Sequence, residues 1–310
     1  MTNLSFGRII SLLSGVVCAG GFAAGVDLSG PISSTVTIYE NSQLVGDVTC
    51  ATTNVPCIVL GADFIKLRLN GFSITGPADP PTNCTTTTSF EPGDGIQATG
   101  RQHIEILGPG LVQKFRRHGI FVTGQSTRVR VRGLTASHNC FSGIQFAGGT
   151  SDSDIEENVS VRNAIASANF SCGANCLVNV HNNRIRRNVF GGSGAVAPNN
   201  DFGVGLNGNS SGNVIEENAI VGNTNGVYIG AMAAGNLIRR NVIAGNPPVQ
   251  LTATFGAFGG VDIRDLSPAG ANTFEENLCV TYFGAGPAPC PNMPKFSGHH
   301  NAGQGSSQAP

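Results

Sequence analysis

The sequence predicts an all-β chain wound as a right-handed parallel β-helix of roughly eight or nine coils. Three observations carry that reading. The first is a repeat: "NVIEENAIVGN" (Asn213 to Asn223) returns 23 residues later as "NLIRRNVIAGN" (Asn236 to Asn246), with six of eleven positions identical. A period of this size signals a solenoid. The second is composition. Gly numbers 43 in 310 residues and Asn is abundant, which suits a chain that turns often and needs positive φ at its corners. The third is the apolar pattern. Short alternations such as Val204/Leu206 and Val227/Ile229 are separated by Gly and Asn. No segment after the first 25 residues keeps a 3.6-residue apolar period for three turns. Leucine-rich repeats share the length, but their units are Leu-dominated and usually half helical.

The elements follow in order. "MTNLSFGRIISLLSGVVCAGGFAAG" holds one basic residue, Arg8, then a short apolar run and small residues at Ala23 and Ala24. It reads as a secretory signal over residues 1–25, since the run is too short to span a bilayer. Gly-Val-Val before Cys18 departs from a lipoprotein box. No later stretch is apolar enough to cross a membrane. Faint repeat units open the solenoid in "PCIVLGADFIKLRLNGFSITG" and "GDGIQATGRQHIEILGPGLVQ". Clearer ones end at Asn139, Asn163, Asn223 and Asn246, and "ANTFEENLCV" closes the series. The solenoid domain is assigned to 26–290 and a disordered tail to 291–310. Four stretches break the period: Gly76 to Pro92, Ala164 to Cys176, Gly191 to Asn200 and Pro247 to Gly260. In a solenoid such insertions become projecting loops, often beside a binding groove.

Stacked coils bring equivalent residues about 4.8 Å apart. The pairs Glu156-Glu157, Arg186-Arg187, Glu216-Glu217, Arg239-Arg240 and Glu275-Glu276 then alternate in sign coil by coil. Alternation makes a ladder of attractions and opposes a slip by one coil, which would stack like on like. As exposed pairs, each is expected to contribute under about 1 kcal/mol. Asn158, Asn188, Asn218, Asn241 and Asn277 form a second ladder beside it. The predicted core comprises Ile104, Ile106, Ile120, Val122, Ile144, Phe146, Ile155, Ile185, Val204, Leu206, Ile215, Ile220, Val227, Ile229, Ile238 and Ile243.

Loss of the signal removes Cys18 and leaves eight cysteines, an even number that suits an oxidising compartment. Spacing suggests Cys50 with Cys57, Cys172 with Cys176, Cys279 with Cys290, and Cys84 with Cys140, among many connectivities that eight cysteines allow. No CxxC pair occurs, which disfavours zinc. The net charge is -1 with 12% charged residues, so no basic face suggests nucleic acid.

The pattern N-x-I-x-x-N-x-I-x-x-N, preceded by Gly-Ile or Gly-Val and a hydrophobic residue, resembles the parallel β-helix repeats of pectate lyase-like proteins over residues 34 to 280. The resemblance implies fold strongly and activity weakly. Enzymes of this group act mostly on acidic polysaccharides, by β-elimination or epimerisation. That chemistry needs a base and a cation to neutralise the sugar carboxylate. In "QKFRRHGI" and "GDGIQ", Lys114, Arg117, His118 and Asp94 are the catalytic candidates. The 24-residue offset between Gly95 and Gly119 would stack them. A solvated turn with one salt bridge is the competing reading. Asp262 and Asp265 of "VDIRD" are candidate Ca²⁺ ligands, against an exposed strand with an ion pair. No other cofactor is implied. The Asn-Thr-Asp, paired-Asp and Gly-His-Gly stretches of polygalacturonase-like enzymes are missing, as is the Asp-Pro-His-Asp of alginate epimerases. The chain has no Trp and three Tyr, and its 17 Phe residues are assigned to the coil interior.

The chain is also similar to the periplasmic β-helix protein of copper-site maturation, although only three Met and no Met/His cluster argue against copper delivery. The expectation is an exported, secreted, periplasmic or cell-surface scaffold that binds a polysaccharide or another surface component without catalysis. The alternative is a lyase or hydrolase of acidic polysaccharide with an atypical site.

Overall fold

The computed structural model describes residues 25–78, 93–163, 175–191, 199–246 and 261–290. The signal expected over 1–25 (all but its last residue), the tail over 291–310 and most of the four insertions lie outside these residues. Among the described residues there are 27 strands, all paired in parallel, and no helix. They form a parallel β-helix with three short strands in each coil. Eight coils are complete; the ninth has strands on faces one and two with a single bridge at Leu278 on face three, and the first strand of a tenth follows, in line with the expected count. An added strand, Asp27–Ile32, pairs with Ser42–Cys50 and closes the N-terminal end.

Each coil has three faces. Face one is a ten-stranded sheet running from Val36–Ile38 to Tyr282–Gly284. Face two holds strands such as Asp154–Glu156, Arg184–Arg186 and Val214–Glu216. Face three holds strands such as Val159–Val161, Val189–Gly191 and Ala219–Val221. All sixteen predicted core residues are 0% exposed. They project inward because alternate residues of a strand point to opposite faces.

A five-residue rule generates the corners. Three extended residues are followed by one in the left-handed region and then by an inward Asn. Gly212, Glu217 and Gly222 have φ of 65°, 58° and 70° and precede Asn213, Asn218 and Asn223. Gly235, Arg240 and Gly245 do the same for Asn236, Asn241 and Asn246. The recurrent Gly is therefore a response to positive φ.

The Asn ladder at corner two, between faces two and three, is present as expected. Asn218 Oδ1 accepts from the Asn188 backbone N–H and from Asn188 Nδ2, both at 2.9 Å. Its own Nδ2 donates to the Ile185 carbonyl at 2.9 Å and to Asn241 Oδ1 at 3.0 Å. The amide is thus fully satisfied although it is buried. The sequence reading found one ladder, but the other corners carry them too. Asn183, Asn213, Asn236 and Asn272 are linked at corner one, between faces one and two. Asn139 with Asn163, and Asn223 with Asn246, are linked at corner three, between faces three and one.

The charge ladder is also in register: Glu156 pairs with Arg186, Arg186 with Glu216, Glu216 with Arg239 and Arg239 with Glu275. One expectation is corrected. The pairs are not simply exposed, because Glu156 and Glu216 are each only 1% exposed beneath the arginines. The left-handed second member faces water, as Glu157 at 36% and Glu217 at 42% show.

Disulfides join Cys50 to Cys57 and Cys279 to Cys290, as the spacing suggested. Cys140 is also disulfide-bonded. Cys84 and Cys172 lie outside the described residues.

Candidate functional site

The catalytic candidates divide into a cluster of three and a separate lysine. Ile96 pairs with Ile120 on face one, so the residues that precede them meet at corner three. Asp94 Oδ1 accepts from the His118 backbone N–H at 3.2 Å and faces Arg117 Nε at 3.3 Å. Asp94 is completely buried. Burial raises its pKa to about 6, against the pull of the Arg117 charge and the His118 N–H. Burial also drives the His118 pKa well down, and Arg117 acts in the same direction, so the imidazole is neutral at pH 7. His118 stacks on Phe121 at 4.9 Å and meets Phe141 edge-on at 5.0 Å. The Arg117 guanidinium lies 4.4 Å from the Phe121 ring centroid, a cation–π contact. Asp94 Oδ2 and His118 Nδ1 are buried with no hydrogen-bond partner among the described residues.

Lys114 is turned away from this cluster. It occupies the left-handed corner position, with φ 59°, and the next side chain, Phe115, fills the core. His138 and Arg162 hold the corresponding corner positions one and two coils on, with φ of 54° and 56°. Burial, then Arg162, then Lys114 lower the proton affinity of His138.

The Ca²⁺ candidates are engaged by the chain itself. Asp262 Oδ1 accepts from Asn246 Nδ2 at 2.7 Å, and Oδ2 accepts from the Val280 and Thr281 N–H groups at 2.7 and 3.0 Å. Asp265 accepts from the backbone N–H and the hydroxyl of Ser267. Among the described residues no group of three or more His, Cys, Asp or Glu is placed to hold a metal ion.

The sequence reading missed an aromatic row on the outside of face one. Gln97, Phe121 and Gln145 are in register there, and so are Gly205, Tyr228, Arg264 and Phe283. Phe202 folds over Gly205 and stacks on Tyr228 at 4.2 Å and 15°. Arg264 lies over Phe283 at 5.7 Å. The assignment of Phe to the interior is thereby corrected. Phe115, Phe146 and Phe190 are in the core, but Phe121, Phe141, Phe202 and Phe283 are not. In the sequence, every insertion falls between face three and face one. Residues 79–92, 164–174, 192–198 and 247–260 each lie between a strand of face three and the next strand of face one.

The sequence of residues 58–254 matches the family described as "Periplasmic copper-binding protein (NosD)". The match takes in more than half of the chain. The chain belongs to the NosD family. The resemblance to right-handed parallel β-helix proteins drawn from sequence is thereby borne out. The NosD assignment agrees with a right-handed β-helix.

Solved structures agree on the fold. The periplasmic alginate epimerase AlgG is 14% identical, with a TM-score of 0.56 over 82% of this chain and 65% of that one. The Dettilon tailspike protein is 14% identical, with a TM-score of 0.57 over 84% of this chain and 55% of that one. The DFA-IIIase of Arthrobacter chlorophenolicus is 12% identical, with a TM-score of 0.54 over 83% and 72%. The NosD-family chain therefore spans less than two thirds of the epimerase and of the tailspike, and shares architecture with them. Among curated proteins no match is found.

Proposed function

We propose that this NosD-family solenoid is an exported, non-catalytic scaffold that holds an acidic glycan along the outer side of face one. The aromatic row carries the reading. Phe121, the Phe202–Tyr228 stack and Phe283 set apolar rings on one sheet face, each already against one neighbour, with Arg117 over Phe121 and Arg264 over Phe283. Sugar rings present C–H faces that settle on such surfaces, while their hydroxyls need side chains such as Gln97 and Arg264. Corner three, at the edge of that face, is basic, with Lys114, Arg117 and Arg162, and favours a carboxylated chain. Disulfides and a family described as periplasmic support export. The presence among structural neighbours of an enzyme named for alginate, an acidic glycan, is in keeping with this reading.

A second reading rests on the orphaned pair Asp94 Oδ2 and His118 Nδ1. A neutral imidazole and a carboxyl that titrates near neutrality, both at corner three and joined only through the His118 backbone N–H, are each suited to proton transfer, so a lyase activity is the alternative.

Calorimetric titration with oligosaccharides of pectate, alginate and chondroitin tests both. Binding of at least one, weakened about tenfold in Phe121→Ala or Tyr228→Ala, supports the scaffold. Binding by none, or binding that ignores both substitutions, overturns it. Growth of unsaturated-product absorbance, lost in Arg117→Ala but kept in Lys114→Ala, selects the lyase. A parallel Cu(I) titration examines the property named in the family description.

A further inference from the structure

We propose that corner one of coils two to five is a second binding site, separate from face one, that takes a neutral oligosaccharide. Phe64, His103, Arg128 and Asp152 occupy the left-handed position in four successive coils, with φ of 60°, 55°, 56° and 52°. Their backbones are joined coil to coil by Phe64 N–H to the Gln102 carbonyl, His103 N–H to Thr127 and Arg128 N–H to Ser151. A bulky aromatic at positive φ is strained, and Phe64 is also 67% exposed. Neither cost yields core packing. What the residue does supply is a ring stacked on His103 at 4.5 Å and 14°. His103 Nε2 in turn lies 3.1 Å from an Arg128 guanidinium nitrogen, which holds that side chain along the column.

Beside the column runs a groove of about 270 Å³ lined by His103, Glu105, Arg128, Arg130, Asp152 and Asp154. Some of these charges are already matched. Glu105 pairs with Lys66 at 3.0 Å, and Arg130 with Glu156 at 3.0 Å. Arg128 and Asp152, which also line the groove, make no ion pair within 4 Å among the described residues, although Asp152 Oδ2 accepts from the Ser151 hydroxyl at 3.0 Å; Asp154 lies in register between Arg130 and Arg184 without closing a pair with either. The groove thus combines one donor fork with two acceptor carboxylates and ends at an exposed aromatic stack. A sugar hydroxyl both donates and accepts, so one ring can satisfy Arg128 and the aspartates together. A neighbouring ring then has the face of Phe64. With Glu105 matched by Lys66 and Arg130 by Glu156, the groove is left with Arg128 against Asp152 and Asp154, a net negative charge that disfavours a sugar carboxylate. Corner one and face one therefore select against and for negative charge, respectively.

Saturation-transfer NMR on the whole protein, with cellotriose, maltotriose and xylotriose as probes and trigalacturonate as the charged comparison, tests this. At least one neutral trisaccharide should receive saturation from the aromatic protons. The transfer should fall about tenfold in Arg128→Ala, Asp152→Asn and Phe64→Gly. Phe64→Gly removes the ring and relaxes the strained backbone, so its melting temperature should be unchanged or higher. The face-one variant Phe121→Ala should keep the signal, which separates this site from the acidic-glycan reading. The inference is overturned if no neutral probe receives saturation, if transfer survives the three corner-one substitutions, if it disappears with Phe121→Ala, or if trigalacturonate binds corner one equally well.

Discussion

Arg239 Nη2 lies 2.7 Å from Glu216 Oε2, 23 residues away in sequence and one coil away in space. The same carboxylate receives Arg184 Nε and, at 3.2 Å, Arg240 Nη2. Three guanidiniums thus converge on one carboxylate that is 1% exposed. Burial alone would raise the Glu216 pKa, but hydrogen bonds from Arg239 and Arg184 outweigh it and the net direction is down.

Glu216→Gln should therefore destabilise the protein by about 1–3 kcal/mol, because it leaves Arg184 and Arg239 crowded without the carboxylate they share, while Arg240 keeps Glu217 at 2.9 Å. The arginines are 31–46% exposed, so water screens part of that cost. Glu217→Gln, on the solvent side of the same corner, should stay within about 0.5 kcal/mol. Urea unfolding measures both. The Glu216 contribution is present above pH 4.5, its ordinary value, and is lost as pH falls.

Asn218→Ala should cost about 2–4 kcal/mol, because four buried partners lose their mate at once. These are the Asn188 backbone N–H, Asn188 Nδ2, the Ile185 carbonyl and Asn241 Oδ1. Asn218→Asp keeps the acceptor but turns a carboxylate toward the Ile185 carbonyl and Asn241 Oδ1, and should be no milder. Hydrogen exchange at the Asn188 amide locates the damage. A change confined to global stability, with that amide still protected, would refute the ladder's local role.

Asp94 should give a pH signature. Its folded-state pKa is about 6 against an ordinary 3.8. Between those values the folded state holds a proton that the unfolded state has released. Stability from this group is complete below pH 3.8 and is lost as pH rises through 6, by at most about 3 kcal/mol. His118 works in the opposite sense. Its lowered value means that the unfolded state takes up a proton first as pH falls below 6.5. The two partly cancel in the native protein, so the difference between it and Asp94→Asn isolates the aspartate. Asp94→Asn should be the more stable at pH 7, and the advantage should vanish by pH 4. A difference independent of pH would exclude a buried titrating carboxyl.

The solenoid was legible because its rules are local. Val-Ile-Glu-Glu-Asn and Leu-Ile-Arg-Arg-Asn each specify strand, left-handed corner and inward amide within five residues, and the offset of 23 fixes the stacking. The ladders at the other two corners were equally present, in Gly212-Asn213 and Gly222-Asn223, but without a charge reversal to draw notice. The aromatic row was missed for a different reason. Phe was assigned inward on hydrophobicity, although Phe121 lies between Ile120 and Val122, and Tyr228 between Val227 and Ile229. If the flanking residues fill the core, alternation sends the middle one outward. Asp94, Arg117 and His118 were brought together by the 24-residue offset. Lys114 was not separable from them by spacing, because only the inward turn of Phe115 divides the loop.

Gly205 gives the sharpest test of the aromatic row. A Cβ there would sit 2.9 Å from the Phe202 ring and 3.2 Å from Asn207 Nδ2. Its own backbone is ordinary strand, paired with Tyr228, so alanine brings no backbone strain. The methyl must instead displace the half-buried Phe202 ring from its stack on Tyr228. Gly205→Ala should thus leave the urea midpoint nearly unchanged while weakening binding of the acidic oligosaccharide about two- to tenfold, the range of one lost aromatic contact. Tyr228→Ala should weaken binding at least as much. The double variant should add little, because both changes break the same stack. Full additivity would mean that Phe202 and Tyr228 meet the ligand as separate surfaces, and an unchanged affinity in both single variants would remove this stack from the binding face.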